Sequence, residues 1–163
     1  MAKIQPRFHP QLLYSSNHDP PRPNQISFMK LEHQVTSLEI SKRLKELGVK
    51  YESLFDWYDV GNDVYYLGSN TDAANNAKDY SNSTAIGYEQ RIISAFTCAE
   101  LGEMLPLTIN GVYMSIFREK GLESWDVAYG TFDKQNIWEQ AETLADAMGK
   151  MLIYLIENGL LKV

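Results

Sequence analysis

The chain of 163 residues is poor in the side chains that most enzyme chemistry uses. Its single cysteine, Cys98, excludes an internal disulfide and fits a reducing compartment. Its three histidines, His9, His18 and His33, all precede the first regular apolar pattern. The folded body is therefore expected to hold none, which argues against Ser-His-Asp or Cys-His hydrolysis and against a His-bearing zinc site. No Gly-rich phosphate or dinucleotide loop occurs. The longest unbroken apolar run, residues 151–156, is far short of the roughly 18–20 residues that cross a bilayer. The N-terminus lacks the basic-then-apolar order of a secretory signal. Positive charge is scarce as well: 15 Lys and Arg stand against 21 Asp and Glu, for a net charge of −6. The deficit lies in the body, because residues 1–34 carry Lys3, Arg7, Arg22 and Lys30 against only Asp19 and Glu32. An acidic body repels polyphosphate, so nucleic acid is an unfavourable partner. These absences predict a cytoplasmic protein with no cofactor, no metal and no membrane segment, and they lean away from an enzyme.

What is present reads as one ordinary globular domain, with 44% hydrophobic and 22% charged residues. Residues 1–34 form a leader interrupted by Pro6, Pro10, Pro20, Pro21 and Pro23, and are expected to be flexible. Met29 is the expected native start. Thr36-Ser37-Leu38-Glu39 predicts a capping box opening a first helix, which Gly48 ends. Residues 53–60 and 64–67 read as strands joined through Gly61-Asn62-Asp63. Residues 68–84 are almost wholly polar and predict a surface loop. A second capping box, Thr97-Cys98-Ala99-Glu100, opens a short helix that Pro106 cuts off. Asn110-Gly111 signals a tight hairpin turn before the strand at 112–118, which pairs with 124–129. The last helix is expected from Ile137 or Gln140 to Asn158, with Leu144, Met148, Met151, Leu152, Leu155 and Ile156 on its buried face. Asn158-Gly159 ends it, and Leu160 is expected to fold back on the last turn. The two helix-then-hairpin halves suggest an internal duplication. The fold class is α+β: one antiparallel sheet of about four or five strands from two hairpins, packed by two short helices and a long C-terminal helix, in a single domain over 35–163.

Few side chains stand out as sites. Cys98 falls in the first turn of a helix, where a thiolate is favoured, but apolar neighbours Phe96, Ala99 and Leu101 mark it as a small buried hydrophobe. Asp56, Asp59 and Asp63 gather near the first hairpin tip, yet match no loop pattern for a cation and read as solvated charges. Lys42, Arg43, Lys45 and Lys50 make one basic patch, but Glu39 and Glu46 share its helix. Tyr51, Phe55, Trp57, Tyr58, Tyr65 and Tyr66 exceed what one hairpin core needs. We therefore expect an interface on the outer sheet face, formed by Trp57, Tyr65, Tyr66, Tyr113 and Phe117, that pairs two copies in a homodimer.

Three segments together carry a resemblance. They are Ser37-Leu38-Glu39-Ile40 leading into Lys45-Glu46-Leu47-Gly48-Val49-Lys50; Ala95-Phe96-Thr97 with Ala99-Glu100-Leu101-Gly102-Glu103-Met104-Leu105-Pro106; and Ala145-Asp146-Ala147-Met148-Gly149-Lys150-Met151-Leu152-Ile153-Tyr154-Leu155-Ile156-Glu157-Asn158-Gly159. In that order the chain from Met29 onward resembles small proteins encoded by phages and prophages of gut bacteria. The resemblance implies no catalytic residue or cofactor. The expected function is that of a non-enzymatic accessory protein of phage type, acting through contacts with a host or phage protein. The alternative is a module for a small ligand or nucleic acid that uses the aromatic hairpin at 51–67.

Overall fold

In the computed structural model the described residues are 29–69, 92–118, 123–130 and 137–163. The proline-rich leader up to residue 28 and the polar segment from residue 70 lie outside them. A 3-10 turn at Leu31–His33 leads into helix α1, Leu38–Glu46, followed by strands β1, Phe55–Gly61, β2, Val64–Ser69, and β3, Ile92–Ala95. Helix α2, Cys98–Met104, then precedes β4, Thr108–Ile109, β5, Val112–Phe117, β6, Trp125–Tyr129, and β7, Ile137–Ala141; helix α3, Leu144–Glu157, ends the fold. The class is α+β, with three helices among the described residues and antiparallel pairing throughout. No helix among the described residues is long and apolar enough to cross a membrane.

The strands divide into two sheets instead of one, ordered β2-β1-β3 and β4-β5-β6-β7. Two short strands account for this. The run Ile92-Ile93-Ser94-Ala95 occupies the second edge of β1, and the Thr97 cap then turns the chain into α2, so the second hairpin begins a sheet of its own. Residues 137–141, expected as helix, are strand β7. Trp138 and Gln140 face outward while Ile137, Glu139 and Ala141 are partly covered, a two-residue alternation. The helix begins after Thr143, whose hydroxyl accepts from the Asp146 amide at 3.1 Å.

Both hairpin turns follow from their residues. Asn62 and Asp63 take left-handed φ values of 56° and 58°, and Gly61 pairs directly with Val64, leaving a two-residue loop. Asn110 does the same at φ 51° between β4 and β5. Helices α1 and α3 close with one motif. Gly48 donates to the Lys45 carbonyl and Val49 to that of Leu44, while Gly159 donates to Ile156 and Leu160 to Leu155. Val49 is buried at the first of these ends, but at the second Leu160 stays exposed and Leu161 packs on the core in its place.

Only one of the two predicted capping boxes forms. At α2 the Thr97 hydroxyl accepts from the Glu100 amide, and Glu100 accepts from the Thr97 amide at 2.6 Å. At α1 the cap is Ser37 and makes no side-chain capping bond. Thr36 is fully buried instead: its hydroxyl accepts from the Phe96 amide at 2.9 Å and meets Ser41 Oγ at 2.7 Å. The free amide of Ser37 is satisfied by Asp146 Oδ1, from α3, at 2.7 Å.

Helix α3 occupies the middle of the core. It touches α1, α2, β6 and β7, and buries Met148, Met151, Leu152 and Leu155 in one cluster with Leu44, Leu101, Val127 and Tyr129. This face stabilises the fold by roughly 1.5–3 kcal/mol per buried large side chain. Contact with α1 is close: a Cβ on Gly149 would stand 2.5 Å from Ile40 Cγ2.

Candidate functional site

Two surfaces combine exposed aromatic rings with a buried carboxylate. The first is the outer face of the four-stranded sheet. Trp125, Val127 and Tyr129 of β6 join the core, so alternation turns Asp126 and Ala128 the other way. The cross-strand register aligns Ser115 with Ala128 and Trp138, and Phe117 with Asp126 and Gln140. Tyr113, Phe117 and Trp138 stand out from this face, exposed at 65%, 38% and 60%. Asp126 beneath them is only 2% exposed. Its Oδ1 accepts from Trp138 Nε1 at 2.9 Å and from Gln140 Nε2 at 3.0 Å, which fixes the indole in place. Apart from this buried carboxylate and the Tyr113 phenol, the described strands place no ionisable side chain on that face.

The five residues expected to share an interface do not come together. Tyr113 and Phe117 lie on the outer face just described. Trp57 turns the other way, toward the start of α1, and is partly buried with its Nε1 donating to the Thr36 carbonyl at 3.0 Å. Tyr65 shares that side of β1–β2, where the Lys42 ammonium sits 4.2 Å from its ring centroid. Tyr66 lies on the opposite side of the same sheet, exposed and stacked on Tyr58 with centroids 6.0 Å apart. Trp57 faces inward because α1 covers that side of the small sheet, an arrangement that a single-sheet reading cannot anticipate. Trp138 is not legible from the sequence for a related reason: an expected helix start at Ile137 or Gln140 hides strand β7, and with it the indole that meets Asp126.

The second surface is a cleft of about 830 Å³ beside the small sheet. Lys45 of α1, the segment 48–53, Asp56 of β1, and Ile92 and Ser94 of β3 line it. Asp56 sits on the central strand and is 5% exposed. Burial pushes its carboxyl above the ordinary range, the Ser94 hydroxyl draws it back in part, and the charge of Glu100 adds to the rise. The Ser94 hydroxyl also points at the Tyr51 carbonyl, 3.2 Å away, so one hydrogen serves two acceptors. Glu100 is held quite differently. It accepts from the Leu54 amide at 2.8 Å, the Thr97 amide at 2.6 Å and the Thr97 hydroxyl at 2.8 Å, with Ser53 Oγ at 3.2 Å.

The other singled-out residues have structural partners. Asp59 accepts from the Gly61 amide at 2.6 Å and Asp63 forms the hairpin turn, so the three aspartates do not converge. Among the described residues no group of His, Cys, Asp and Glu could hold a metal ion. Cys98 packs against the core, and burial pushes its thiol up, away from a reactive thiolate. Arg43 bridges Glu46 at 2.9 Å and Glu157 at 2.6 Å, and Lys45 donates to the Ile92 carbonyl at 2.7 Å. The basic patch is thus largely engaged within the fold.

No family model matches the chain. No curated protein and no solved structure matches it either. The geometry of the two surfaces therefore carries the functional reading.

Proposed function

We propose that the chain is a non-enzymatic accessory protein that acts through protein–protein contact, and that it pairs with a second copy across the outer face of the four-stranded sheet. One observation carries this reading: three large rings, Tyr113, Phe117 and Trp138, project from a face whose strands expose no charged side chain. Adjacent exposed rings are unfavourable in water and mark contact surfaces. An uncharged face also suits a second copy of a chain with net charge −6, because the repelling groups lie elsewhere. Two-fold pairing covers both patches at once. The Asp126 bond to Trp138 supports the same reading, since a ring held in place loses less freedom on binding. The setting that fits is a bacterial cytoplasm, with the pair serving a phage or prophage and contacting a further host or phage protein.

Sedimentation at micromolar concentration tests the pairing. The wild type is expected to run as a dimer. Tyr113→Glu is expected to run as a monomer with unchanged melting temperature, because Tyr113 is exposed and supports no core contact. A wild type that runs as a monomer overturns the proposal, and so does a Tyr113→Glu, Trp138→Ala double variant that stays dimeric.

A further inference from the structure

The carboxylates packed against this fold, half-buried Glu100 and buried Asp126 and Asp56, are satisfied unequally. Glu100 accepts from two backbone amides and a hydroxyl, and Asp126 from an indole and an amide N–H. Asp56 is as deeply buried as a structural carboxylate, yet its side chain has the shared Ser94 hydroxyl as its partner among the described residues. Its backbone is fixed in the central strand, paired on both sides. Lys45, which lines the same cleft, turns its ammonium to the Ile92 carbonyl. A buried charge without a cation or several donors is costly, and such groups in clefts cluster at functional sites. The cleft above Asp56 falls within the usual size range for small-molecule sites, about 300–1,000 Å³. Its rim carries the exposed Tyr51 ring and the exposed Lys50.

We propose that this cleft binds a small molecule with a guanidinium head, received by Asp56 at the floor, and a carboxylate tail, met by Lys50 at the rim. A flat cationic head presents several N–H donors to the two carboxylate oxygens, and the tail gives the exposed Lys50 ammonium a counter-charge. Tyr51 offers a ring face beside the path of the cation. The site lies on the small sheet and is independent of the pairing across the other sheet, so either proposal can fail alone.

Free arginine, agmatine and citrulline are the probes, titrated into the full chain and followed by calorimetry and amide NMR shifts. Arginine carries head and tail, agmatine lacks the tail, and citrulline lacks the charged head. The expected order is arginine tightest, agmatine weaker, and citrulline without measurable binding. Asp56→Asn is expected to weaken arginine by about tenfold or more, the loss of a charge-assisted contact. It should melt no lower than the wild type, because it removes an unfavourable buried charge. Lys50→Ala is expected to bring arginine down to the level of agmatine, and this exposed position keeps the test open if Asp56→Asn misfolds. Absence of binding by both arginine and agmatine at millimolar concentration overturns the proposal. Equal binding of citrulline and arginine overturns it too, as does full affinity retained in both variants.

Discussion

Tyr129 is buried on the inner face of β6 with its hydroxyl donating to the Pro106 carbonyl at 2.5 Å, so a core ring also holds the segment after α2. Burial pushes its phenol up to about 12. An unfolded tyrosine ionises near 10, so between these values the folded chain keeps a proton that the unfolded chain loses. The stabilisation is complete below about pH 10 and is lost as the pH rises toward 12. Tyr129→Phe should cost about 1 kcal/mol at neutral pH, since the Pro106 carbonyl loses its donor. Urea unfolding of the two proteins at successive alkaline pH values is expected to show the difference shrinking; a difference independent of pH would refute the assignment. At this scale the sequence was legible where a residue's partner is local, as with Thr97 and Glu100. It was not legible at Thr36, whose signature is the same but whose hydroxyl is taken by Phe96, 60 residues away. A local motif cannot reveal a distant competitor for the same oxygen.

Among the elements, the crossing of α1 and α3 depends on a residue without a side chain. A Cβ at Gly149 would meet Ile40 Cγ2 at 2.5 Å and Thr36 Cγ2 at 3.1 Å. Alanine favours a helix interior over glycine by about 1 kcal/mol, but overpacking costs about 1–3 kcal/mol. Ile40 is buried and Thr36 is bonded on two sides, so neither can yield cheaply. Gly149→Ala is therefore expected to destabilise the chain despite its better propensity. Adding Ile40→Ala should recover part of that loss in a double-mutant cycle measured by urea unfolding. Strict additivity would mean that the two positions do not meet. The long apolar periodicity of α3 was plain in the sequence, as were α1 and both hairpin turns. Strands β3 and β7 were not, because four or five residues sample too few alternations to separate a strand from the edge of a helix.

For the molecule as a whole, the two-sheet division decides which surfaces are free. Because α1 covers one side of the small sheet and α3 one side of the large sheet, each half leaves the rings on its other side in contact with solvent. Alternation alone places Tyr113 and Phe117, two of the five residues expected together, on one face. Trp57 could not be assigned that way: alternation says which residues share a side, and only the packing of a helix says which side is covered.

Glu100 also bears on the order in which the chain assembles. Its bonds to Thr97 span three residues, whereas those to Leu54 and Ser53 span 46 and 47. Local contacts form before distant ones, since closing a long loop costs more entropy. The cap of α2 should thus be in place first and offer its carboxylate as a ready acceptor for the incoming segment ahead of β1. In stopped-flow kinetics, Thr97→Ala should mainly slow folding, while Ser53→Ala should leave the folding rate near that of the wild type and speed unfolding. The reverse pattern would mean that the ends of the long loop meet before the helix that receives them has been capped.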